Sequence, residues 1–397
     1  MFRTFWIALL AVVVTAGTFA PVSLMAWGGQ GHVTLTPLAT DRLPGALGQF
    51  ARANKDFLVC YSVLPDSWWG SPDLVPQLPE ELANPAGLNG PPESDRHHLH
   101  LDLDIYIDAR GPRVAQPTEP LNRAQALTLF QAYVKAHGQQ ALADFQARNR
   151  WYNGGMAGLA QAMFDDAGSL PWVVEDRVND LSAAMKAGNW QRSLFLMSII
   201  AHYVGDCHVP LHVSENFNGQ LHPNPRVKGI HSRWESGLLG QFTQEFKNYL
   251  AQTAKSTPIP ADTAAAQDVP RFVFGILANS MSMVDDLMRQ DDEILEGMGV
   301  SSPGKHKPQD DGDGPGAFGN GGPYNSDYYR KLFKVQGANS MKQLFDSSEH
   351  VALLWRVAWE RAGSPQPPAG AIQTCPLLVI DFKNKRVVPY KPGDRPF

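Results

Sequence analysis

Residues 202–212 read His202-Tyr-Val-Gly-Asp206-Cys-His208-Val-Pro-Leu-His212, and 19 positions after His212 comes His231-Ser-Arg-Trp-Glu235. His202 and Asp206 are four apart, as are His231 and Glu235. Residues at i and i+4 lie on one face of a helix, one turn apart, so each pair aims an imidazole and a carboxylate at a common point. The flanks are apolar: Leu194, Leu196, Ile199, Ile200 and Ala201 before, Leu238 and Leu239 after. Charged groups beside a buried stripe must be paired or metal-bound, because unpaired burial is costly. Histidine nitrogen with carboxylate oxygen, and no thiolate, suits hydrolytic zinc, which also keeps one coordination position open. A single His-x-x-x-Asp is commonly surface decoration or a local hydrogen bond. Two of them, joined by a segment with three more histidines (His208, His212 and His222), point to a metal centre.

The chain opens Met1-Phe-Arg3, runs apolar from Thr4 to about Val14, then passes through small residues and Pro21 to Leu24-Met-Ala26. A positive start, a short apolar run and a small residue at a cut position read as a secretory signal peptide over residues 1–26. An uncleaved anchor is the other reading, against which the run is short and interrupted. Cleavage after Ala26 makes Trp27 the first residue, in Trp27-Gly-Gly-Gln-Gly-His32. A free α-amino group, with a pKa of about 8, yields its proton to a cation and chelates it together with its own carbonyl oxygen. His32 follows five residues on, across glycines that let the backbone fold tightly.

With these stretches the chain resembles the zinc-dependent, single-strand-specific nucleases of fungi and plants. Their superfamily also contains bacterial zinc phospholipases C. In that family the mature protein starts with Trp, a His follows five positions later, one helix carries His-x3-Asp-x5-His and a later helix carries His-x3-Asp. The matching positions here are Trp27, His32, His202, Asp206, His212, His231 and Glu235. The resemblance spans about Trp27 to Gly363. It implies two further ligands. One is an Asp in a Trp-containing segment, for which Leu64-Pro-Asp66-Ser-Trp68-Trp69 supplies Asp66. The other is a His within Asp95-Arg-His97-His98-Leu-His100-Leu-Asp102-Leu-Asp104, where no His has an Asp three residues later, unlike the family. Read as a strand, that stretch puts His98, His100, Asp102 and Asp104 on one face and the leucines on the other. His98 and His100 both stay open as the ligand; His97 falls with the leucines.

The resemblance implies three zinc ions per chain. One would take Asp66, a His from 98–100, His202 and Asp206. A second would take the Trp27 amino and carbonyl groups, His32 and again Asp206, which would bridge the two. The third would take His212, His231 and Glu235. Asp66 would orient the attacking water or accept its proton. His208 falls outside these sets, as packing or support. Glu235 stands where the nucleases usually have Asp; with His231-Ser before it, it is similar to the phospholipase branch. The five-residue step from Trp27 to His32 is similar to the nuclease branch.

Composition bounds the partners. Without residues 1–26 the chain has 371 residues, with 33 basic against 39 acidic and no basic run. A binder of long duplexes relies on phosphate neutralisation and would be more basic; a zinc cluster would hold a phosphate without lysines. Three cysteines, Cys60, Cys207 and Cys375, show no disulfide framework, and Cys207 reads as a small buried residue.

Apolar spacing predicts helices at about 122–148, 156–166, 174–187, 190–208, 231–253, 267–297 and 339–362, and strands only at 98–107 and 376–389. The fold class expected is all-α: a single mainly helical domain over residues 27–363, with a trinuclear zinc site and a short β tail in a C-terminal extension, 364–397. Residues 301–325 are rich in Gly, Pro and Asp and read as a loop; Asp310-Asp-Gly-Asp-Gly314 lacks the closing Glu of a calcium loop.

Three functions fit. The first is an exported endonuclease, periplasmic or extracellular, cutting single-stranded RNA or DNA at the bond to the 3′ oxygen. Tyr106, Tyr152, Trp172 or Phe217 would give it an aromatic platform for a base. The second is a zinc phospholipase C acting on phospholipid headgroups, with Trp68-Trp69 as an apolar rim. The third is a secreted metal-binding or adhesion module without turnover.

Overall fold

A helix that is apolar on every side belongs in the middle of a helical fold. Residues 190–207 form such a helix in the computed structural model of the protein. The structure describes residues 28–65, 98–103, 105, 122–149, 152–260, 262–302, 324, 326–372, 378–381 and 386–389. Among them the helices are α1 (Gly28–Asp41), α2 (Gly45–Ala53), α3 (Lys55–Tyr61), α4 (Arg123–His137), α5 (Gln139–Arg148), α6 (Met156–Ala167), α7 (Leu170–Lys186) and α8 (Trp190–Cys207). They continue with the single turn α9 (Ile230–Ser232), α10 (Leu238–Gln241), α11 (Thr243–Ser256), α12 (Val269–Met281), α13 (Val284–Gly297) and α14 (Ser326–Arg361).

The Asn189 side chain starts α8 by accepting from the Arg192 amide, one of the donors a helix start leaves without a partner. Every residue from Ser193 to Cys207 is buried, and α7, α14, α3 and α1 pack around them. Burying an aliphatic side chain contributes roughly 1.5–3 kcal/mol. Leu194, Leu196, Ile199 and Ile200 thereby offset the cost of carrying His202 and Asp206 on the same helix. The 36-residue α14 braces the assembly. Trp355 on it donates to the Met197 carbonyl at 2.9 Å, and Glu349 pairs with buried Arg42 just after α1. A smaller apolar cluster of Leu238, Leu295, Tyr324, Tyr328, Tyr329 and Leu332 closes the end formed by α10, α13 and α14.

The result is a single mainly helical domain. Several long expected helices are broken. Residues 122–148 divide at Gly138, whose φ of +52° ends α4. The span 231–253 divides into α9, a π turn, α10 and α11, with Phe242 outside helical geometry. The span 267–297 divides at Ser282 and Met283. Helices α1 to α3, which the apolar spacing does not signal, fill residues 28–61. Of the stretch expected as a strand at 98–107, the described residues 98–103 make one isolated bridge, Leu99 to Gly168, and then turn. Near the C-terminus Leu378–Asp381 and Arg386–Pro389 pair antiparallel, with Leu378 opposite Pro389. Cys60 is disulfide-bonded, and Cys207 is a free, buried thiol. Among the described residues no helix is long and apolar enough to cross a membrane. The expected signal peptide, Trp27, Asp66, His97 and most of the 301–325 loop lie outside the described residues.

Candidate metal centre

Two clusters capable of holding a metal ion stand in the helical body: His32, His202 and Asp206, and His212, His231 and Glu235. Within each, the ligand atoms lie within 4.8 Å of one another, and all six residues are buried.

The first cluster joins α1 to α8. Asp206 Oδ2 faces His202 Nε2 at 3.2 Å, and Asp206 Oδ1 faces His32 Nε2 at 3.4 Å. One carboxylate thus divides its two oxygens between two histidines, whose rings stack at 4.0 Å. The other nitrogen of His202, Nδ1, lies 2.7 Å from the Ser62 carbonyl just after α3. A carbonyl only accepts, so Nδ1 carries the proton and Nε2 keeps its lone pair for the cluster. Burial pushes the His202 pKa down to about 4; Asp206 opposes the shift and His32 adds to it, so the ring is neutral near pH 7. His32 reaches this point because Gly205 has no side chain: a Cβ there would sit 3.1 Å from His32 Cε1 and 3.0 Å from Leu35 Cδ2.

The second cluster is built from short elements. His212 sits in a 3-10 turn, Pro210–Val213, His231 on α9, and Glu235 in the π turn Arg233–Gly237. Glu235 Oε1 lies 3.1 Å from His231 Nε2 and 3.2 Å from His212 Nε2. Burial alone would raise the Glu235 pKa; the His231 and His212 imidazoles outweigh it and hold the carboxyl at about 2.

The donors fit a divalent cation. Both nitrogens of His32 and both oxygens of Glu235 are buried without an aligned hydrogen-bond partner. Buried polar atoms are nearly always satisfied, and an unpaired buried carboxylate is costly. Two imidazole nitrogens facing one carboxylate oxygen are held together either by their own N–H protons or by one shared cation. At the first cluster the proton of His202 sits on Nδ1, so its Nε2 meets Asp206 Oδ2 lone pair to lone pair, an arrangement that a cation relieves. Two histidines and a carboxylate are also the nitrogen–oxygen set of an open zinc site.

The remaining candidates fall around these clusters. His98 and His100 do share a face, their rings stacked at 4.4 Å, with Leu99 fully buried between them in sequence. His98 Nε2 meets the Asp166 carbonyl at 3.1 Å. The Leu99 amide bonds the His212 carbonyl at 3.0 Å, which seats this stretch on the 3-10 turn. Burial, then His98, then His212 drive the His100 pKa well below its usual value. Neither His98 nor His100 belongs to either compact cluster. Asp102 accepts from the Ser214 hydroxyl and the Glu215 amide, a structural task. His208 pairs with His350 of α14 at 2.9 Å, and His222 serves a local turn by accepting from the Asn224 amide. Of the aromatic candidates, Trp172 packs in the core against Phe164 and Phe274. Tyr152 bonds the Gly155 carbonyl. Half-buried Phe217 lies beside the second cluster, parallel to His100 at 6.4 Å and edge-on to His231 at 6.0 Å. Tyr106, Trp68 and Trp69 lie outside the described residues, as do Trp27 and Asp66, the further ligands that the resemblance implies.

Ser62 and Gly205 touch the histidines of the first cluster without being ligands, and Arg233 lies between two residues of the second in sequence. Only Arg233 carries a sequence signal, a cation placed between two candidate ligands in an apolar run. Compared with known proteins, the chain matches no family model, no curated protein and no solved structure.

Proposed function

We propose that the protein is an exported zinc phosphodiesterase that hydrolyses single-stranded RNA or DNA at the bond to the 3′ oxygen, with 3′ phosphomonoesters as further substrates. Residues 27–363 would be the catalytic domain, released from the signal peptide 1–26 and followed by the extension 364–397. The observation that carries this reading is the divided carboxylate of Asp206, one oxygen toward His32 and the other toward His202. That is what a residue bridging two metals must offer.

Bound zinc supplies Lewis acidity toward a phosphoryl oxygen and brings the pKa of a water near neutrality. The chain's own residues set the rest. Asp206 and His202 would hold one ion, together with Asp66 and a histidine from 98–100. Asp206 and His32 would hold a second with the Trp27 amino terminus. His212, His231 and Glu235 would hold the third. Asp66 would orient the attacking water or take its proton. Phe217, beside the second cluster, would offer its ring face to a base, a contact that tolerates any sequence. The disulfide at Cys60 supports an oxidising compartment.

The test is a side-by-side assay of purified mature protein on single-stranded RNA, single-stranded DNA and phosphatidylcholine vesicles. Metal-dependent cleavage of the nucleic acids is expected. Turnover of phosphatidylcholine alone would move the assignment to a zinc phospholipase C, which Glu235 in place of Asp favours. No turnover of any of the three would leave a secreted metal-binding module.

A further inference from the structure

Between the ligands His231 and Glu235 stands a fully buried arginine, and its contacts run to the chain just before His231, to α13 and to α14. Arg233 Nη1 donates to the Lys228 carbonyl and Nη2 to the Val227 carbonyl, both at 2.9 Å. Nη2 also reaches Asp291 Oδ2 of α13 at 2.6 Å, and Nε donates to the Tyr328 hydroxyl of α14 at 2.9 Å. Tyr328 in turn donates to the other Asp291 oxygen. The guanidinium lies 4.4 Å from the centre of the Tyr324 ring.

These contacts fix one particular thing. Val227 and Lys228 end the connection that begins at His212 and enters α9 through Gly229, whose amide bonds the Asn218 carbonyl at 2.9 Å. The same guanidinium therefore grips the chain just before His231 and fastens it to α13 and α14. Its own backbone opens the π turn that carries Glu235, and π turns are rare and concentrate at functional sites. A buried ion pair is weak evidence for stability, because an apolar replacement of similar volume often serves as well. It does specify geometry, and the planar fork of Arg suits four directed bonds. Asp291 also cancels the charge, so no net positive group is placed beside a cation site.

We propose that Arg233, held by Asp291 and Tyr328, is a positioning residue that sets the spacing of His212, His231 and Glu235 for their metal ion. The inference rests on the reading of that cluster as a metal site.

The experiment is calorimetric titration of the chelator-stripped full mature chain with zinc chloride, with no substrate present. His231→Ala identifies the binding event that belongs to this cluster by removing it. Arg233→Met should weaken that event by about 10-fold or more, the usual cost of losing a group that orients a ligand. The other events and the far-ultraviolet circular dichroism should match wild type. In the double variant with His231→Ala, Arg233→Met should cause no further loss of zinc. Tyr328→Phe, which deletes a single hydroxyl, should weaken the same event alone and serves if Arg233→Met does not fold. Wild-type zinc affinity in folded Arg233→Met or in Tyr328→Phe overturns the proposal, as does an equal weakening of all events. A wild-type chain with no event removed by His231→Ala overturns the metal reading itself, before any Arg233 variant is compared.

Discussion

Gly205 lies against the ring of His32, and a Cβ on it would stand 3.1 Å from Cε1 and 3.2 Å from Nδ1. Gly205→Ala should therefore push α1 and its histidine away from α8. Overpacking of this kind costs about 1–3 kcal/mol. The melting temperature should drop by several degrees and zinc content should fall, with the cluster around His212 still filled. An alanine variant with wild-type stability and full zinc would show that α1 has room to spare here.

Asp206 and His208 are close in sequence and differ in task. Asp206→Asn leaves an amide of the same shape that cannot serve two metals with two anionic oxygens. It should lower turnover by orders of magnitude and release zinc. His208→Ala removes a partner of His350 and should leave turnover within a few-fold of wild type. Similar losses from the two changes, read by steady-state kinetics and elemental analysis, would contradict the division of roles.

Trp27 provides a test independent of any side chain. If its α-amino group binds zinc, it must be terminal and unprotonated. A chain beginning Met-Trp27, with the Met verified by mass spectrometry, should lose one zinc and most turnover while its circular dichroism is little changed. Full zinc and full activity in that chain would exclude the N-terminal chelate.

Phe217 is the aromatic candidate beside the metal cluster. Phe217→Leu should raise KM for single-stranded oligonucleotides by roughly 5- to 150-fold, since stacking on an aromatic ring is worth about 1–3 kcal/mol per base. Hydrolysis of a small phosphodiester without a base should change little. An equal loss on both substrates would assign Phe217 to holding the cluster together.

The metal-free protein should lose stability in mild acid. Burial holds the pKa of His202 at about 4, and burial, opposed by Asp346, holds that of His350 at about 4. Both lie below the unfolded value of about 6.5, so between these limits the unfolded chain binds more protons and stability falls as pH falls. The contribution is fully present above pH ~6.5 and is lost on the way down to pH ~4, at roughly 3 kcal/mol per group. The Glu235 carboxyl, at about 2 against 4.5 for a free glutamate, adds a loss that begins near pH 4.5 and runs down to about pH 2. Melting curves in chelator from pH 7.5 to 4 test this; a flat profile across that range would contradict the burial of neutral rings.

The parts of this site legible in the sequence are those that depend on local spacing. The pairs His202/Asp206 and His231/Glu235 follow from helical periodicity, and α8 follows from its unbroken apolar text. What escaped depends on tertiary approach. No spacing rule says that Ser62 will offer its carbonyl to His202, or that Asp291 and Tyr328 will meet Arg233. Helices α1 to α3 were hidden because Pro37, Pro44 and Gly45 interrupt the pattern, while the structure tolerates Pro37 inside α1 and uses Pro44 to start α2. The alternation from His98 to Asp104 reads as a strand. Periodicity reports which residues share a face, as the stacked rings of His98 and His100 do, and not whether a neighbouring strand exists.

The two clusters differ in how the chain around them can open. His202 and Asp206 ride on a helix with no exposed residue between Ser193 and Cys207. Amide hydrogens in such a segment exchange with solvent only when the whole domain unfolds. His212, His231 and Glu235 instead ride on a 3-10 turn, a single helical turn and a π turn. Short elements of this kind breathe at far lower free energy. Two similar donor sets would then differ in residence time, the cation at the second cluster exchanging faster than one held by α8, and the Arg233 contacts to α13 and α14 would set how much faster.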